Sequence, residues 1–78
     1  MARKLMQEDT DADGINMKIF YDDEDHMYEV VVSDEKFIKE RKIPAQFVPT
    51  FGMDVSDLYA TLNIAEELAS EIDADRLK

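Results

Sequence analysis

The chain has 78 residues and sets 19 aspartates and glutamates against 9 lysines and arginines, a net charge of −10 at pH 7. Apolar residues make up 45% and cysteine is absent, so one folded domain is expected, without disulfides or a thiolate metal site. The charge excludes direct binding of nucleic acid and of anionic membranes, which both demand a cationic surface, and favours basic protein surfaces and cations as partners.

The start of the chain, Met1-Ala2-Arg3-Lys4-Leu5-Met6, has a basic pair with no apolar stretch behind it. Neither a signal peptide nor a membrane span is expected, and the cytoplasm is the expected location. Residues 1–14 read as a polar N-terminal segment with an acidic loop, and 15–78 as a single domain. Within that domain, 15–21 and 27–33 alternate between apolar and polar residues, and Asp22-Asp23-Glu24-Asp25-His26 forms a turn cluster between them. This is a β-hairpin pattern. Pairing Tyr21 with Tyr28, Ile19 with Val30 and Met17 with Val32 gathers the apolar side chains on one face, whereas a slip of one residue would scatter them.

Ser33 is placed to cap a short helix over roughly 34–42. Asp34 and Glu35 fall in its first turn, Arg41 and Lys42 at its end, and Phe37 and Ile38 point inward. Pro44 ends it. Residues 45–51 suit an edge strand or an extended loop, because Pro49 cannot donate to a sheet ladder. Asp54 then caps a helix over about 55–72, with Asp57 in its first turn and a Met53–Leu58 staple across its start. Val55, Leu58, Tyr59, Leu62, Ala65, Leu68, Ala69 and Ile72 recur at helical spacing and define its expected core face. Asp57, Glu67, Glu71 and Asp75 define the opposite face, with Ile64 projecting among them. The fold class is α+β: an antiparallel hairpin-based sheet packed by a long C-terminal helix, with a short helix between.

The most specific motif is Asp9-Thr10-Asp11-Ala12-Asp13-Gly14. Alternating carboxylates that end at a glycine offer oxygen ligands to a hard cation. The stretch resembles the first half of an EF-hand calcium loop, with Ile15 where that family uses a backbone carbonyl. The family's closing bidentate glutamate would fall at Phe20, so this chain departs from the pattern there. The hairpin register brings Ile15 beside Asp34. An alternative function is therefore a calcium-binding domain using Asp9, Asp11, Asp13, the Ile15 carbonyl and either Asp34 or Glu35. The competing reading is an acidic turn built on Asx hydrogen bonds, with Gly14 at positive φ.

No catalytic constellation is legible. His26 is alone in the turn cluster, no serine has a base in view, and Gly14 and Gly52 cannot build a phosphate loop. The expected function is non-enzymatic binding of a basic partner. The candidate contact residues are Asp57, Ile64, Glu67, Glu71 and Asp75 on the helix and Asp22, Asp23, Glu24 and Asp25 at the hairpin tip. In size and charge the chain resembles small acidic inhibitors of phage origin, including anti-CRISPR and anti-restriction proteins, which share charge rather than sequence. That resemblance implies a nucleic-acid mimic acting on a nucleic-acid-binding protein. Phe47, Val48 and Phe51 suit a homodimer interface.

Overall fold

In the computed structural model, which describes residues 3–77, the alternating segments pair as their pattern requires. Four strands, β1 (Arg3–Thr10), β2 (Asn16–Asp22), β3 (Met27–Ser33) and β4 (Ile38–Pro44), form an antiparallel meander in the order β1-β2-β3-β4, and one helix, α1 (Val55–Arg76), follows. Met1, Ala2 and Lys78 lie outside the described residues. The β2–β3 register sets Tyr21 against Tyr28, Ile19 against Val30 and Met17 against Val32, as the sequence pattern demanded. At the tip, Asp22 Oδ1 accepts from the amides of Glu24 (3.0 Å) and Asp25 (3.3 Å). His26 takes φ 55°, the left-handed conformation that turns the chain back into β3. Its Nδ1 lies 2.8 Å from the Tyr21 hydroxyl, and the two rings meet edge to face.

Two segments differ from expectation. Residues 34–42 do not form a short helix. Asp34, rather than Ser33, is the capping residue: its Oδ1 accepts from the amides of Lys36 (2.8 Å) and Phe37 (2.7 Å), and its own amide donates to the Phe37 carbonyl (2.9 Å). That closes a tight turn and delivers 38–44 to the free edge of β3. A full sheet ladder there outweighs the modest helix preference of these residues. The run Lys39-Glu40-Arg41-Lys42 and the terminal Pro44 suit an exposed edge. The polar N-terminal segment, likewise, is not separate from the domain. Its residues 3–10 form β1 against β2, with a bulge between Leu5 and Gln7. Residues 45–51 form a loop rather than a strand.

The core lies between one face of the sheet and α1. Ile19, Tyr21, Tyr28, Val30 and Val32 come from the sheet, Ala65, Leu68 and Ile72 from the helix. The helix packs on β3 and β4. Asp54 caps it, accepting from the Ser56 amide at 2.9 Å. The helix is rotated relative to the expected core face. Asp57 and Thr61 are buried, while Val55 and Tyr59 are 63% and 64% exposed. The cause is polar. The Asp57 carboxylate accepts from the amides of Gln46 (3.1 Å) and Phe47 (3.1 Å), fastening the preceding loop to the first helical turn. The Thr61 hydroxyl turns back to the carbonyls of Asp57 (3.0 Å) and Leu58 (2.8 Å). Asp57 therefore leaves the solvent face, and Ile64 packs half-buried against the core instead of projecting among carboxylates. Among the described residues, no helix is long and apolar enough to cross a membrane.

Tyr28 supplies a pH test of this core. Burial pushes its phenol up from 10.0 to about 12, with the Asp57 carboxylate adding to the shift. A raised folded-state value favours the neutral phenol in the folded chain. The stability it contributes is complete below pH 10.0 and is lost as pH rises towards about 12. A loss on the order of 2 kcal/mol is expected across that window in urea unfolding. The same titration of Tyr28→Phe should lack this component. An unchanged alkaline loss in that variant would place its origin elsewhere.

Candidate functional site

The β1–β2 loop, the β3–β4 turn and the C-terminus of α1 share one end of the sheet. The aspartate loop there is built on internal hydrogen bonds. Asp11 Oδ1 accepts from the amides of Asp13 (2.9 Å) and Ile15 (3.0 Å), and Asp9 Oδ1 from that of Thr10 (2.9 Å). The Ile15 carbonyl accepts from the Asp11 amide at 3.0 Å, and Gly14 adopts φ 81°. This is the Asx-turn reading of the motif.

The expected approach of Asp34 and Glu35 to this loop does occur. Asp13, Gly14, Asp34 and Glu35 line one cavity of about 350 Å³ together with the cations Lys36 and Arg76, and Arg76 is the one bonded to the loop. Arg76 Nε donates to Asp34 Oδ2 at 2.8 Å and its Nη2 to the Asp13 carbonyl at 3.4 Å. Asp9, Asp11 and Ile15 line a different cavity, of about 360 Å³, against α1. The six residues expected to hold calcium are thus divided between two places. Among the described residues, no three carboxylates or imidazoles come together in a metal-holding group. The Asp34 carboxyl is held below its usual value of 3.8, first by the Phe37 and Lys36 amides and then by Arg76. Its stabilising effect is present above that usual value and disappears as acidification passes the lowered one.

The helix row is also reassigned. Arg41 and Lys39 stand on the helix-facing side of β4, opposite Val30 and Val32. Arg41 pairs with Glu67 (2.9 Å) and Glu71 (3.3 Å), and Lys39 with Asp75 (3.1 Å). Arg41 and Lys39 thereby offset two of the three charges of Glu67, Glu71 and Asp75, so the row is not a naked acidic stripe. The remaining side of the sheet is treated similarly. Arg3 pairs with Glu29 and lies 4.0 Å over the Phe20 ring, and Lys18 approaches Glu8 at 3.8 Å. Arg3, Lys18, Lys39, Arg41 and Arg76 are all engaged with carboxylates of the same chain.

At the other end stand the hairpin tip, the 45–54 loop and the start of α1. Asp23, Glu24 and Asp25 are exposed there, with Asp22 anchoring the turn. Beside them Phe47, Val48, Phe51, Val55 and Tyr59 are all exposed, Phe51 completely. The Ala45 amide donates to the His26 carbonyl at 3.0 Å, tying the loop to the tip. Phe47, Val48 and Phe51 were expected at an interface. Val55 and Tyr59 were not, since their spacing matched the core stripe. The signal for them was the polar pair Asp57 and Thr61 in register with Ala65, Leu68 and Ile72. Single exposed apolar residues are ordinary, whereas here five large ones fall within residues 47–59. No protein-family model, no curated protein and no solved structure matches this chain.

Proposed function

We propose that the chain is a non-enzymatic binding protein that docks on a basic protein surface, using the hairpin tip and the 45–59 segment together. The supporting observation is that Phe47, Val48, Phe51, Val55 and Tyr59 are exposed on the segment that the Ala45 amide ties to the hairpin tip carrying the carboxylates of residues 22–25. Aromatic anchors at the centre and charge at the rim are what stable interfaces use. A net charge of −10 then selects against a second copy and for a cationic surface.

The partner class that suits this chemistry is a nucleic-acid-binding protein, whose site is cationic by necessity. In that finer reading the carboxylates stand in for phosphates and the protein acts as an inhibitor. The two acidic loops sit at opposite ends of the sheet, separated by the length of a seven-residue strand, roughly 23 Å. We place this activity in the cytoplasm as part of the same proposal. Core histones and duplex DNA are suitable probes. The chain should bind core histones with an affinity that falls steeply with salt, should be displaced by duplex DNA, and should not bind the DNA alone. Salt-resistant binding of DNA by the chain would overturn the proposal.

A further inference from the structure

The sheet is wider than the helix that covers it. Four strands at ~4.8 Å spacing present a face of roughly 15–19 Å, and one helix covers about 10 Å of it. Helix α1 packs on β3 and β4, and Ile19 and Tyr21 of β2 are buried in the same core, so the strip left open lies over β1 and the Met17 end of β2. Along the other flank of α1, above β2 and beside β1, runs the cavity of about 360 Å³. Its floor and helix wall are apolar, with Ile15, Met17, Leu62 and Ala69 among the lining residues. Among the described residues its polar lining is Asp9, Asp11 and Glu66, all carboxylates, with no lysine or arginine. On α1 the helix wall continues toward the N-terminus through the exposed Tyr59 and Val55, which share the spacing of Leu62, Glu66 and Ala69.

We infer that this groove is the docking site for an amphipathic, basic α-helix of the partner protein, which seats its apolar side chains between α1 and β1. The inference rests on the proposed function and assigns it a second, specific surface. The apolar lining takes side chains at i, i+4 and i+7 of such a helix. The three carboxylates require that its flanks bring lysine or arginine, whose aliphatic stems lie along Met17 and Leu62 while their charges reach the rim. A second copy of this chain would bring more carboxylates to a site that already has three.

The test uses the isotope-labelled full chain and a synthetic amphipathic leucine/lysine helix of about four turns. Two control peptides replace lysine by glutamate or shuffle the sequence so that the apolar face is lost. Amide shifts on adding the leucine/lysine helix should gather at Ile15, Met17, Leu62, Glu66 and Ala69. Both controls should bind at least about tenfold more weakly, a difference of about 1.4 kcal/mol. Glu66→Lys and Asp9→Lys, both exposed positions, should each weaken the leucine/lysine helix severalfold without disturbing the rest of the spectrum. Shifts confined to 22–26 and 47–51, with groove signals unmoved, would overturn the groove and leave acidic docking intact. Equal binding of the glutamate peptide would overturn the charge argument on which the groove rests. Groove shifts that appear on concentrating the chain alone, together with a dimer in sedimentation, would give the site to a second copy and overturn the inference. Absence of any salt-sensitive binding of the lysine peptide would remove both the groove and the broader proposal.

Discussion

Leu68→Ala should remove most of the stability of this domain. Leu68 is 2% exposed and lies on the helix line that faces β3, between Ala65 and Ile72. Truncating a fully buried leucine costs about 2–5 kcal/mol, from lost transfer energy and the cavity left behind. A single small core of this size supplies only ~3–5 kcal/mol in total. The variant should therefore unfold at a much lower urea concentration, or be largely unfolded in buffer. Tyr59→Ser is the matched control on the same helix, since Tyr59 is 64% exposed and should shift stability by about 0.5 kcal/mol or less. A larger loss for Tyr59→Ser than for Leu68→Ala would mean that the helix presents the other stripe to the sheet.

The second large effect is expected at Asp57. Its carboxylate is 2% exposed and accepts from the amides of Gln46 and Phe47. Asp57→Ala leaves both amides without their acceptor at a partly buried site. A fully buried, unpaired amide costs about 1–3 kcal/mol; with water in partial reach of both, a total of roughly 2–4 kcal/mol is expected. Asp57→Asn keeps one carbonyl oxygen as acceptor and should lose less. Hydrogen exchange locates the effect. In Asp57→Asn the Gln46 and Phe47 amides should exchange faster than in the parent, while those in the middle of β3 stay protected. Uniform acceleration along the chain would show that Asp57 acts on global stability alone. Because Asp57 also fixes the loop carrying Phe47, Val48 and Phe51, this variant should weaken binding at the tip beyond what its own charge explains.

Where the sequence pattern carried one dominant signal, it was sufficient. The hairpin register followed from placing Met17, Ile19, Tyr21, Tyr28, Val30 and Val32 on one face. The cap at Asp54 followed from its position before a long helical run. Patterning failed where the deciding interaction was distant. Residues 38–44 carry charges that suit a helix, but the open edge of β3 decides their conformation. The bulge near Met6 breaks the alternation of β1, so its strand period is hidden. The rotation of α1 is set by Asp57 reaching two amides ten and eleven positions earlier, a contact that apolar spacing does not encode. The surroundings of the aspartate loop were legible, since the hairpin register alone brought Asp34 and Glu35 beside it. That Arg76 would fill the role of the cation was not, because it arrives from the far end of the helix. The helix row Glu67, Glu71 and Asp75 read as an acidic stripe only while β4, with Arg41 and Lys39, was not yet part of the sheet.

The central claim is that tip carboxylates and exposed aromatic residues act together on a basic protein surface. A double-mutant cycle on binding to core histones tests it most directly, comparing Asp23→Lys, Phe51→Ser and their combination at about 50 and 300 mM salt. Both positions are solvent-exposed, so the fold should be unchanged in each variant. Asp23→Lys should weaken binding chiefly at low salt and Phe51→Ser at both salts, with the double variant departing from the sum by more than about 0.5 kcal/mol. Affinities that fall with net charge alone, unaffected by Phe51→Ser and strictly additive, would contradict the claim.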